Sequence, residues 1–377
     1  MKKYFCSMSV LWILLLAMPL AASTTRIWVL NIESNNISVI DAVTNRVVQT
    51  IEGIPEPHGV SFSPDGSRAY VTSGTSEHNL YVVDTKTGKT ITKVVLSGRP
   101  NLPAITNDGK WVAACIRDPG PAVPIADAPL QKGNWDNRNR VAQNGGAVDF
   151  VDTTSLRVKT LPMKGPMHDC YLSPDGKYVV TGSADTNFVA VIDVQTQKLA
   201  WEVPFDAGVV TMAMQAGPDG STSKIFADLH GLDGFVVVDF RTHKEVARIK
   251  FPEEKPNEAV TSVSPGAHSE TYAQNPENVK KTPTHGTVIT PDGKTLWVAS
   301  VRYKALFVYS LPELKLLKKV PLPNQPMWLT ITPDGKTVYA SIFKVSLASA
   351  IDVKTMKEVA LIPVGIKPMR IAAMEMP

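Results

Sequence analysis

Three copies of one short phrase carry a histidine six residues ahead of the proline of a Pro-Asp-Gly turn. They read "PHGVSFSPDG" at 57–66, "MHDCYLSPDG" at 167–176 and "THGTVITPDG" at 284–293. Imidazole is the side chain best suited to take up a transition ion while remaining neutral at physiological pH. A ring of His58, His168 and His285 would suit copper, zinc or iron, with a position left open for water or substrate. At the same offset, the other copies carry Asn101, Met212, Met327 and Met369. Thioether is a soft ligand, so methionines at that level would favour copper. Asp169, adjacent to His168, is placed to orient an imidazole from behind. The plainer alternative is that strand-end histidines cap backbone groups or pack over neighbours. Methionine likewise fills irregular gaps, which makes channel packing the first expectation for Met212, Met327 and Met369.

The elements that must position these residues recur with them. Each copy reads strand, Pro-Asp-Gly turn, strand ("AYVTSG", "YVVTGS", "LWVASV"), loop, strand ("LYVVDT", "VAVIDV", "LFVYSL"), turn, strand. Alternating apolar residues mark each piece as a half-buried strand. Four antiparallel strands in about forty-odd residues describe a propeller blade. Blades begin near Pro55, Arg99, Pro166, Gly208, Pro283 and Pro326. Segment 26–53 lacks an innermost strand, and "KPMRIAAMEM" at 367–376 is an innermost strand with no blade after it. The expectation is an all-β, seven-bladed β-propeller over 23–377, closed by strands from both ends of the chain. The Pro-Asp-Gly aspartates recur with the turn and are expected to cap it.

These units resemble the YVTN-repeat family of secreted propellers, on "YVTS" at 70–73 and "YVVT" at 178–181. The likeness covers nearly the whole region after residue 23 and implies fold rather than activity. A narrower stretch, 166–205, resembles the haem d1 propeller domain of cytochrome cd1 nitrite reductase. There a histidine-aspartate pair opens an inner strand at the haem pocket, which carries over to His168 and Asp169 only. The chain departs from that pattern in its seven repeats against eight. On this likeness a haem d1-like tetrapyrrole stands behind a bare ion among the expected cofactors.

In a propeller, the loops before the first strand and between the second and third strands share one face. His58, His168 and His285 lie there, as do the loop residues His78, His230 and His268. His243 alone falls on the opposite face. Two long insertions, 118–146 and 252–283, decorate the histidine face, and loops of that length commonly bind or cover ligands. Trp135, Arg138 and Arg140 in the first insertion, together with His230, are candidate ligand contacts. The loop histidines 78, 230 and 268 are each expected to be solvated.

The first two dozen residues read as a secretory signal peptide, spanning 1–22. A basic start is followed by "VLWILLLAMPL" and then small residues. A periplasmic or secreted protein is the expectation. Without Lys2 and Lys3 the formal charge of +4 becomes +2, and no like-charged block suggests nucleic acid. No later run is long enough to span a bilayer. Cys115 and Cys170 survive cleavage, and both a disulfide and buried free thiols fit their apolar surroundings. CxxCH, GxSxG, HExxH and nucleotide-binding patterns are absent. Two functions stand: an exported propeller, expected to be a monomer, that binds a transition metal or cofactor at the channel mouth, with oxidoreduction as its chemistry; or a scaffold that takes a protein or small molecule on the decorated face.

Overall fold

Strands with apolar residues at every second position bury one face only when sheets stack against each other. In the computed structural model, seven four-stranded antiparallel sheets are arranged this way. The structure describes residues 24–74, 77–119, 145–253 and 280–376. Residues 1–23, most of both insertions, and with them Trp135, Arg138, Arg140 and His268, lie outside the described residues.

Innermost strands are Pro57–Phe62, Gly98–Ile105, Cys170–Leu172, Val209–Ala216, Thr284–Ile289 and Pro326–Ile331 for blades 2 to 7. Blade 1 takes its innermost strand, Pro368–Met376, from the other end of the chain. It pairs antiparallel with Thr24–Asn31, aligning Trp28 with Ala372 and Leu30 with Arg370. This closure leaves no open seam in the ring. It also brings Arg370 to the central channel.

Apolar clusters fill the space between successive blades. Trp28, Leu30 and Met374 of blade 1 meet Val60, Ala69 and Tyr81 of blade 2. Phe150 of blade 3 meets Val179, Phe188 and Ile192 of blade 4. Each large side chain buried this way contributes about 1.5–3 kcal/mol. The second of these clusters also contains Cys115 and Cys170, which form a disulfide joining blades 3 and 4.

The turns on the far face are built by repetition. Gly66 (φ 69°) closes the first Pro-Asp-Gly turn in a conformation that costs glycine little. Asp65 accepts from Ser63 Oγ at 2.6 Å and from the Ser67 amide at 3.0 Å. Asp175, Asp292 and Asp334 do the same in their own turns, while Asp219, with Gly217 two residues before it, accepts both the amide and the hydroxyl of Ser221. A second device caps the turn before each outermost strand. Asp84, Asp193, Asp239 and Asp352 each accept the amide and hydroxyl of a threonine three residues on. His243 (φ 57°) occupies the left-handed position that Asn45, Gln197 and Met356 hold elsewhere, and stacks on Trp201 at 4.2 Å. Its role is structural. Among the described residues no helix is long and apolar enough to cross a membrane.

Candidate functional site

The innermost strands of blades 2, 6 and 7 begin with an irregularity in pairing. Register shifts occur between Pro57 and Gly59, between Thr284 and Thr287, and between Pro326 and Trp328. His168 precedes the short strand of blade 4, tied by its amide to the Gly182 carbonyl at 2.8 Å. The rings of His168 and His285 stand 6.0 Å apart, centroid to centroid, at 77°.

Both rings are oriented through Nδ1. His285 Nδ1 lies 2.8 Å from the Met327 carbonyl oxygen, which can only accept, so this nitrogen carries the proton. His168 Nδ1 lies 3.0 Å from Asp169 Oδ2 and donates to it. Among the described residues neither Nε2 has a hydrogen-bond partner in the protein. This is the arrangement in which histidines serve as ligands, with the proton fixed on one nitrogen and the lone pair free on the other.

Beneath the imidazoles lies a buried charge pair that binds four blades together. Arg370 of blade 1 donates through Nη2 to Asp169 Oδ1 of blade 4 and to Asn101 Oδ1 of blade 3, each at 2.5 Å. Its guanidinium lies 3.6 Å from the ring centroid of Trp328 of blade 7. Tyr171 donates its hydroxyl to Asp169 Oδ2 at 3.1 Å, and Trp328 in turn meets His285 edge-on at 4.9 Å. Asp169 is fully buried and Arg370 is 2% exposed. Burial works to raise the Asp169 pKa, but Arg370 and His168 beside it hold the carboxyl well below the usual range.

Burial sets the imidazoles in the opposite sense. His285 is pushed down to about 3, by desolvation and then by His168. His58, half-buried on blade 2, is held well below its ordinary value by burial and by Arg370. His230 falls to about 4 through burial and Lys281. Gly208 makes room for that ring: a Cβ there would stand 2.6 Å from His230 Nδ1. On blade 5, Asp228 accepts from the hydroxyls of Thr211 and Thr287, and burial raises it to about 7.

The signs give a first prediction. A histidine whose folded pKa is depressed binds fewer protons folded than unfolded, so stability is lost as pH falls from about 6.5 toward 3. Asp228, raised, acts oppositely and weakens the fold as pH climbs from about 4 to 7. Nitrogen-detected NMR should show His285 holding its Nδ1–H neutral form at pH 5. A doubly protonated ring there would contradict the burial argument.

The sequence-derived ring is only partly assembled. His58, His168 and His285 all face the same end of the channel, yet among the described residues no three His, Cys, Asp or Glu side chains stand close enough to hold one ion. Asn101 is present at its expected level, bonded to Arg370. Met327 and Met369 pack with Ile32, Val301 and Phe343, the packing role expected of them. Met212 is displaced from the ring. The register Val209↔Leu229, Met212↔Ala227 matches Thr284↔Ser300, Thr287↔Val298, so Val210 is the residue equivalent to His285. Met212 instead packs among Val180, Val191 and Ile225. His78 is buried, at 8% exposure, rather than solvated, and His230 is half-buried. Arg370, Trp328, Tyr171 and Asp228 were not singled out. One signal was available: Asp169 and Arg370 are the charged residues immediately after the ring position, and they have opposite signs.

No protein-family model matches the chain, so the YVTN likeness remains one of repeat pattern. Among solved structures, the fold is similar to hydrazine synthase of Kuenenia stuttgartiensis, with a TM-score of 0.61 and 18% identity over 84% of this chain and 89% of that one. It is also similar to the dihydro-heme d1 dehydrogenase NirN, solved in complex with DHE, with a TM-score of 0.58 and 14% identity over 91% of this chain. The match takes in 63% of NirN's own length. At these identities the likeness shows a shared propeller fold.

Proposed function

We propose that the channel mouth binds a transition metal through the Nε2 atoms of His168 and His285, with His58 alongside. The remaining coordination positions are filled by what arrives with the metal, a metal-bearing organic cofactor rather than a third protein ligand. One observation carries this reading. Two buried imidazoles have their Nδ1 protons fixed on Met327 O and Asp169, while among the described residues neither Nε2 lone pair has a partner.

The donor set fits such a group. Rings that share an ion have centroids roughly 5–6.5 Å apart, given metal–nitrogen distances of about 2.1 Å, and 6.0 Å falls within that span. The depressed pKa of His285 removes proton competition for the metal at that ring at neutral pH. Imidazole suits copper, zinc and iron alike. NirN, whose structure contains a DHE ligand, supports a tetrapyrrole as the organic part. When bound, such a centre would supply electron transfer or Lewis acidity. The chain's own residues orient it and keep water away. The leader-like N-terminus and the disulfide support an exported, oxidising location.

Cobalt(II) and ferric protoporphyrin are suitable probes. Saturable absorbance changes are expected with the native chain and at least a tenfold weaker response from His168→Ala/His285→Ala. Flat titrations with both probes, or an unaltered response in the double variant, would favour a propeller that serves only as a scaffold.

A further inference from the structure

Arg370 and Asn101 hold more hydrogen-bond donors than the protein uses. Among the described residues Arg370 spends only Nη2, on Asp169 and Asn101; its Nε and Nη1 are buried with no partner there. The amide of Asn101 can face arginine only through its oxygen, because a guanidinium accepts nothing. That fixes Asn101 Nδ2 as a donor, and it too is buried and unpartnered. Asn101 is 1% exposed and Arg370 2%. Leaving such groups unsatisfied costs about 1–3 kcal/mol each, more when charged. Three donor atoms from blades 1 and 3, gathered at one guanidinium, therefore point to an absent acceptor.

We infer that this cluster is an anion subsite, taking a carboxylate or a small inorganic oxyanion at the floor of the histidine site. The recognition is by directed N–H groups in a low-dielectric setting, since Arg370 and Asp169 together are neutral. Asp169 does not compete for the free donors. Its Oδ1 is satisfied by Nη2, and its Oδ2 by His168 and Tyr171. Trp328, stacked on one face of the guanidinium, leaves binding to the in-plane edge. The acceptor is either a free anion or the carboxylate of the cofactor proposed above, and only the second source rests on that reading.

Two variants separate the subsite from the fold. Asn101→Asp keeps an oxygen for Arg370 Nη2 and replaces the unused donor by an acceptor, so the ring stays tied while the anion is repelled. Asp65→Asn, in a far-face turn, is the control. Carbon-13 formate, titrated by NMR into metal-free protein at constant ionic strength, should bind saturably to the native chain and to the control, and at least tenfold more weakly to Asn101→Asp. In a second arm, protoporphyrin should bind more tightly than its dimethyl ester, a preference that Asn101→Asp abolishes. Success in the first arm identifies a free anion, and success in the second alone identifies a cofactor carboxylate. If formate does not saturate and the acid and ester bind alike, or if Asn101→Asp matches the native chain throughout, the donors hold only water and the inference fails. Because formate binding needs no metal, its failure leaves the imidazole reading untouched, and the reverse holds as well.

Discussion

Arg370→Ala should cost the fold about 3–5 kcal/mol, the range seen when one partner of a buried ion pair is removed. The loss has three parts. Asp169 is left as a fully buried carboxylate whose countercharge is gone. Trp328 loses the guanidinium on its face. The C-terminal strand also loses its bond across the channel to Asn101. The pH response distinguishes these parts. Without Arg370 the Asp169 carboxyl titrates at a higher pH, so the deficit against the native chain shrinks on acidification as the proton replaces the lost charge. Arg370→Met/Asp169→Asn should therefore be more stable at pH 7 than Arg370→Met alone, measured by urea unfolding. A double variant no better than the single would show that the charge pair is not what holds this centre.

Cys115→Ala/Cys170→Ala is expected to lose about 4 kcal/mol, the chain-entropy value for a cross-link spanning 55 residues. For a chain of this length the melting temperature should fall by roughly 5–10 °C. A local effect accompanies the global one, because Cys170 directly follows the His168-Asp169 pair. The bridge anchors that pair to Cys115, in the second strand of blade 3. Calorimetry with and without reductant checks the first effect, and the His168 ring resonances check the second. If reduction leaves the melting temperature of the native protein unchanged, the bridge does not contribute in solution.

The blades could be read from the sequence because their physics is local. Period-two apolar runs, Pro-Asp-Gly turns and one unpaired segment at each end suffice to specify seven blades and their closure. The equivalent positions of His58 and His285 were legible for the same reason, since a fixed distance from the turn places a residue at a fixed point of the strand. Blade 5 shows the limit of that ruler. Its innermost strand carries extra length before the turn, with a register shift between Gln215 and Ala216, so counting back from Pro218 lands on Met212 instead of Val210. Lateral relations were less legible. Whether Cys115 and Cys170 pair depends on how blades 3 and 4 lie side by side, which no within-blade pattern encodes. The Asp169–Arg370 contact joins residues 201 apart along the chain. It is visible only once the last strand is known to line the same channel as blade 4.

Burial also overturned the expectation for the loop histidines. Positions 78 and 230 sit in polar stretches that suggest solvent, yet His78 is buried and His230 half-buried. The depressed pKa of His230 is a consequence of that packing.

Elemental analysis of the protein purified from its native host tests the central claim most directly. The account expects copper, zinc or iron in stoichiometric amount, released when His168 and His285 are both replaced by alanine. Native protein that is free of transition metal, or a double variant that retains it in full, would contradict the account.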